Sequence, residues 1–384
     1  MMPALSSNDT SVLGRWWFTV DRWTIAAVVG LICFGYVMML AASPGVAERV
    51  IKQSLWFLRP RELFIGKQMA FLVIAFVVMV VMSLLSPKGV RRVALAGCTV
   101  AIILTALTLL TGEIKGARRW ISLPGMTLQP SEFLKPCFAV VAAWLLAEGQ
   151  RETVWYKRLA WPGLAVAIAL LIGLILRGQP DLGMTAVILG VFIVQLFVNG
   201  LNLLLVGGLI GLGAASGVAA YFTLPHFTKR INQFWDPTTH KNDQLANARQ
   251  AFGNGGLWGL GAGEGRVKDR IADAHADFVY AVAGEEFGFV VCMGILGLFV
   301  FIVLRALMRV LAERDLFVVL ATAGLAAGFG LQAFVNMAST MGLIPTKGMT
   351  LPFVSYGGSS ALAVAVGIGM LLALTRKRTN GDLL

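Results

Sequence analysis

The segment IADAHADFVYAVAGEEFGF, residues 271–289, sets Asp273, His275 and Asp277 just ahead of a long apolar run and places Glu285 and Glu286 inside it. A carboxylate at such a boundary has two uses. Asp277 can act as an anion meeting the positive end of a helix dipole, or as a general base that takes a proton from a hydroxyl nucleophile. If the helix begins early, Asp273 and Asp277, four residues apart, share a face. Glu285 then lies about two turns deeper, too far to form an acid–base pair with Asp277 directly. Glu285 and Glu286 are expected to hydrogen-bond between helices or to pair with a buried basic residue. His275 is either a pH-sensitive neighbour or simply interfacial.

Three further segments concentrate polar residues at the ends of apolar runs: 111–135, with Arg118, Arg119, Glu132 and Lys135; 177–183, with Asp181; and 341–361, with Lys347, Ser355 and Tyr356. Glu132 and Lys135 are three apart and so lie on one helix face. They form either an intrahelical pair or part of a shared external cavity. Arg118, Arg119, Lys135 and Lys347 have the donor chemistry to hold a pyrophosphate through charge-assisted hydrogen bonds, or to contact lipid headgroups by snorkelling.

These residues need a membrane scaffold. The chain is 57% hydrophobic and 14% charged, against about 25% charged for soluble domains, which predicts an all-α polytopic membrane protein. Apolar runs of spanning length divide it into ten predicted spans near 23–42, 68–85, 93–112, 131–149, 159–176, 183–198, 203–222, 278–304, 316–336 and 357–375. Residues 1–22 form a polar leader without a cleavable signal pattern, 23–375 the membrane domain, and 376–384 a tail. The even number puts both termini on one side. The short loops on that side are dense in Lys and Arg, which places the termini in the cytoplasm. The stretch 222–277 is then a large extracytoplasmic loop, expected to contain amphipathic helical pieces lying on the membrane and a glycine-rich re-entrant turn at 251–265.

The net charge of +12 fits topology and anionic lipid rather than nucleic acid, since no basic, aromatic-interleaved domain is present. The glycine-rich run lacks the spacing and the strand–helix context of a dinucleotide site. Glycines within spans, such as those of GGLIGLG (207–213), read as close-packing positions. Cys33, Cys98, Cys137 and Cys292 fall within predicted spans at unrelated spacings, which suits packing rather than a disulfide or a metal quartet.

The motifs GARRWISLPGMTLQPSEFLK (116–135), QPDLG (179–183), AFGNGGLWG (251–259) through AHADFVYAVAGEEFGF (274–289), and PTKGMTLPFVSYGGSS (345–360) together resemble the SEDS proteins of shape, elongation, division and sporulation. The likeness runs in order over nearly the whole chain, and TKGMTLP (346–352) is more like the cell-division branch than the elongation branch. The resemblance implies ten spans in the bacterial inner membrane at the division septum. It also implies polymerisation of lipid II into peptidoglycan glycan strands beside a class B penicillin-binding transpeptidase of the FtsI type and other divisome membrane proteins. The family's essential aspartate falls on Asp277, expected to activate the acceptor 4-hydroxyl for an inverting transfer that releases undecaprenyl pyrophosphate. Family positions place Arg118, Arg119, Trp120, Glu132, Lys135, Asp181, Asp273, Lys347, Ser355 and Tyr356 around the outer cavity as substrate-binding residues. No cofactor is obligatory, and a divalent cation (Mg or Mn) is optional. The sequence departs from the family at QLANA (244–248), where Asn247 and Ala248 replace Gln and Ser, and at Asp273, where Glu is usual. The rival readings are a lipid II flippase, an elongation-type polymerase, or a scaffold for division proteins.

Overall fold

A computed structural model describes residues 12–51, 60–110, 118–123, 126–223, 225–235, 244–271, 274–345 and 348–377. Among them the helices are α1 (Val12–Thr19), α2 (Arg22–Ile51), α3 (Pro60–Ser83), α4 (Pro87–Leu107), α5 (Pro130–Arg151), α6 (Trp155–Gly178), α7 (Leu182–Val198), α8 (Leu203–Thr223), α9 (Pro225–Trp235), α10 (Gln244–Gly255), α11 (Val279–Val310), α12 (Leu316–Thr340) and α13 (Gly358–Leu374). A short antiparallel hairpin, β1 (Ile121–Leu123) with β2 (Met126–Leu128), pairs Ile121 with Leu128. Among the described residues eight helices are long and apolar enough to cross a membrane: α2, α3, α4, α5, α6, α8, α11 and α12. α7 and α13 are shorter apolar helices.

The helix starts follow local chemistry. Ser86 caps α4 by accepting from Gly89 N–H, with Pro87 at the first position, where its missing N–H costs nothing. Asp181 caps α7 and Asp315 caps α12 in the same way. α5 is the axis of the bundle: from Pro130 to Gly149 it is buried on nearly every face, because its small Ala, Ser, Cys and Gly side chains admit neighbours all round. α4, α6, α7, α12 and α13 pack against it. A second core gathers α2, α3, α10, α11 and the turn at Leu351–Val354.

Several contacts tie the first and last described segments to one end of the bundle. Lys377 N–H donates to Thr19 O at 3.0 Å, Trp16 Nε1 to Ser83 Oγ at 2.8 Å, and Asp21 takes Arg305 at 2.8 Å and Arg309 at 3.0 Å. The starts of α5 and α13 therefore stand at the opposite end.

α11 is broken at Gly288, whose φ of 77° takes it out of the helix. The glycine-rich segment repairs the break. Leu260 and Gly261 N–H donate to Glu285 O and Glu286 O, while Phe289 and Val290 N–H donate to Gly256 O and Leu257 O. Exposed backbone groups inside hydrocarbon would cost several kcal/mol each, which is why such a break needs a docked partner segment. A Cβ at Gly259 (φ 83°) would fall 2.2 Å from Glu286 O, so only glycine permits this approach. The expected re-entrant turn is thus a segment packed into α11. α10 lies against α11 through Leu245, Ala248, Ala251 and Gly255 rather than only along a membrane surface.

Two other expectations are corrected. α8 buries no residue, and Gly207, Gly208, Gly211 and Gly213 meet nothing within 4 Å, so these glycines are not close-packing positions among the described residues. Cys98, Cys137 and Cys292 are buried, but Cys33 is exposed on α2.

Candidate active site

The segment before α11 does not start the helix early. Residues 274–278 form turns, Phe278 is the N-cap, and Asp277 stands outside the helix, half-buried. Tertiary partners hold the chain there: His275 O accepts from Tyr356 N–H at 2.9 Å, and Asp277 O accepts from Asn336 Nδ2 at 3.0 Å. The helix begins only after Phe278, so Asp277 and Glu285 share no helix face. The rings of His275 and Tyr356 lie 5.3 Å apart, and burial pushes the Tyr356 phenol above its usual range, keeping it a hydrogen donor. Gly348 lies directly on the Asp277 carboxylate: a Cβ there would stand 2.9 Å from Oδ2.

On the other side of the 348–350 segment, the start of α5 supplies a buried ion pair. Lys135 Nζ is 2.7 Å from Glu132 Oε2 and donates to Gln332 Oε1 at 2.6 Å. Ser360 Oγ reaches Glu132 Oε2 at 3.3 Å and Thr350 Oγ1 at 2.5 Å, and Gln332 Nε2 donates to Thr350 O at 3.0 Å. Of the two readings of Glu132 and Lys135, the intrahelical pair is present; the pair also lines a narrow, mostly apolar crevice between α5, α12 and α13 with Pro136, Gly328 and Gly367. Residues 348–360 connect this network to Asp277. Ser355 serves the same segment: its Oγ accepts from Leu351 N–H at 2.8 Å, and its carbonyl accepts from Gln68 Nε2 at 3.3 Å.

Arg119 and Asp181 form a separate group on the α6–α7 turn. The guanidinium donates to Gln179 O at 2.8 Å and Pro180 O at 2.7 Å, and lies 3.3 Å from Asp181 Oδ2. Asp181 also accepts from Met184 N–H at 3.2 Å. Arg119 thus fastens the strand leading into β1 to that turn. Trp120 is half-buried beside it, and Arg118 is exposed and donates to Leu109 O at 3.5 Å. Asp273 and Lys347 lie outside the described residues.

Glu285 and Glu286 have structural partners. Glu285 accepts from the backbone N–H groups of Arg266, Val267 and Lys268 at 2.9–3.1 Å, capping a 3₁₀ turn (Val267–Arg270). Glu286 pairs with Lys268, whose ammonium also donates to Ala41 O at 2.9 Å. Both carboxylates hold residues 266–268 in place, against α11 and, through Lys268, against α2.

Among the described residues, no three His, Cys, Asp or Glu side chains gather so as to hold a metal. Sequence reasoning missed Gln68, Gln332, Asn336 and Ser360. The signal was present for the amides, because an amide inside an apolar span needs a partner.

Comparison with known proteins completes the picture. A family model described as cell cycle protein, covering FtsW, RodA and SpoVE, matches residues 22–380. A Caulobacter vibrioides protein named "Probable peptidoglycan glycosyltransferase FtsW" is 39% identical, covering 98% of this chain and 94% of its own. One of the same name from Trichlorobacter lovleyi is 35% identical, covering 92% and 93%. Among solved structures, a chain from a peptidoglycan synthase complex coordinating polymerization and crosslinking has a TM-score of 0.74 at 27% identity, covering 94% of this chain and 98% of that one. The rod shape determining protein RodA of Thermus thermophilus has a TM-score of 0.66 at 26% identity, covering 94% and 97%. With the family model spanning nearly all of it and relatives of this identity matched end to end, the chain belongs to the FtsW/RodA/SpoVE family of cell cycle proteins.

Proposed function

We propose that this protein polymerises lipid II into septal peptidoglycan strands in the bacterial inner membrane, with Asp277 as general base. The observation that carries the reading is the placement of Asp277: a half-buried carboxylate outside any helix, clamped through its own backbone, and joined by residues 348–360 to the Glu132–Lys135 pair. The names of the relatives supply the reaction class.

In this mechanism Asp277 accepts the proton of the GlcNAc 4-hydroxyl on the acceptor as that oxygen attacks the anomeric carbon of the donor. The anomeric centre inverts and the bond to the undecaprenyl pyrophosphate breaks. Charge growing on the leaving group meets cationic donors, for which Lys135, Arg118, Arg119 and Lys347 are the candidates. By the family positions, Trp120, Asp181, Asp273, Ser355 and Tyr356 are the further substrate-binding residues. α2 to α8 and α11 to α13 make the ten spans, the termini face the cytoplasm, and the loop between α8 and α11 faces outward. The basic density of the short loops supports that orientation. A class B transpeptidase of the FtsI type is the partner, a reading in keeping with the synthase complex among the structural neighbours.

The test is reconstitution of the purified protein with its transpeptidase and lipid II. Glycan chains that disappear in Asp277→Ala support the reading. Transbilayer movement of lipid II without polymer, unaffected by that substitution, would replace it with a flippase.

A further inference from the structure

α12 carries two amides one turn apart, Gln332 and Asn336, both buried in a mostly apolar helix. Asn336 Nδ2 donates to two carbonyls, Asp277 O at 3.0 Å and Met349 O at 2.6 Å. Those carbonyls belong to segments more than seventy residues apart in sequence, and both lack a helix to hold them. Gln332 repeats the pattern one turn away, accepting from Lys135 at 2.6 Å and donating to Thr350 O at 3.0 Å. One face of α12 therefore registers the carboxylate segment, the 348–350 segment and the α5 ion pair against each other.

We propose that Asn336 is a positioning residue for glycosyl transfer: its amide N–H groups fix the Asp277 backbone against Met349, and thereby set where the carboxylate stands relative to the acceptor hydroxyl. This rests on Asp277 acting as the base. The physical argument is one of degrees of freedom. Asp277 precedes α11, so the helical ladder does not hold its carbonyl; the clamp from α12 does. Releasing the clamp lets the base wander, and misplacement by about 1 Å costs on the order of 100-fold in rate. Substrate affinity is untouched, because Asn336 is fully buried behind the site.

Two variants separate positioning from bulk stability. Asn336→Leu has similar volume and no donor. It is expected to lower kcat for lipid II polymerisation roughly 10- to 100-fold at every pH, with KM within about twofold of wild type. Asn336→Asp is close to isosteric and donates only while its carboxyl is protonated. It is expected to add an alkaline limb to the pH–rate profile that the wild type lacks, since ionisation removes the donor and sets a charge against two carbonyls. Should the leucine variant fail to fold, the aspartate variant carries the test alone. Wild-type kcat in Asn336→Leu, or a wild-type pH profile in Asn336→Asp, would overturn the proposal. Asp277→Asn is assayed alongside: if it polymerises normally, the base assignment has failed. If it is inactive while both Asn336 variants behave as wild type, the positioning role alone has failed.

Discussion

Substituting Gly348 by alanine isolates the geometry of the base from the stability of the fold. The new Cβ would stand 2.9 Å from Asp277 Oδ2 and 3.7 Å from its Cγ, whereas ordinary contact begins at 3.4 Å. The obstacle is the end of a short side chain rather than backbone, so the carboxylate moves and the fold stays. A displacement of about 0.5 Å, half of one that costs on the order of 100-fold, implies about a tenfold loss of rate, or about 1.4 kcal/mol in the transition state. Polymerisation of lipid II by the purified variant with its transpeptidase gives the rate, and thermal unfolding in detergent gives the stability. The expected pair of results is a rate near one tenth of wild type with an unchanged melting temperature. A rate within twofold of wild type would refute the claim that the position of Asp277 limits the reaction.

Further outcomes follow from other contacts. Lys268→Met and Glu286→Gln each leave a buried partner uncompensated, and are expected to lower the detergent melting temperature by the equivalent of about 3–5 kcal/mol; the double variant should lose less than the sum, as a melting series over the four proteins would reveal. Gly259→Ala puts a methyl group into the backbone of α11, and should sharply reduce the yield of folded protein in size-exclusion chromatography. Asp21 is held by Arg305, Arg309 and Thr24: burial pushes its carboxyl up, but these partners bring it net below the usual range. Its stabilising contribution is therefore fully present above the ordinary carboxylate range of about 4 and is lost as pH falls through its lowered value. Asp21→Asn should accordingly lower the melting temperature at pH 7, by the equivalent of roughly 1–3 kcal/mol, and matter little once wild-type Asp21 is protonated.

Much of this organisation is readable from apolar run length, because a helix in lipid must satisfy its own backbone and therefore writes itself as a continuous apolar stretch. The segments at 131–149 and 316–336 fall on α5 and α12 for that reason. The predicted span at 278–304 likewise starts one residue before α11, but the reason Asp277 stays outside the helix was not readable in the same way. Nothing local stops a helix from beginning before Asp277; the carbonyl of Asp277 is taken by Asn336 from fifty-nine residues away, and such a partner leaves no trace in the local pattern. The break at Gly288 is similar, since it depends on the docking of residues 256–261.

The candidate site was half legible. Glu132, Lys135 and Asp277 stand out as charges beside apolar runs, and the family motifs single out the same positions. Arg119 and Asp181 stood out equally, yet the structure gives them to each other and to the carbonyls of Gln179 and Pro180. Sequence shows that such charges need partners but not which ones. Gln332 and Asn336 were overlooked because uncharged amides barely disturb an apolar run, although burial makes their hydrogen bonds no less obligatory. The glycines of α8 misled in the other direction: small residues permit close packing, but do not require it.

The central claim is that Asp277 removes the acceptor proton. Its most direct test compares wild type and Asp277→Asn in lipid II polymerisation with the transpeptidase present, after both have been matched for melting temperature and lipid II binding. Asparagine keeps the size and cannot serve as the base. The account predicts unchanged binding and no glycan chains from the variant. Chains formed by Asp277→Asn at a rate near wild type would contradict it.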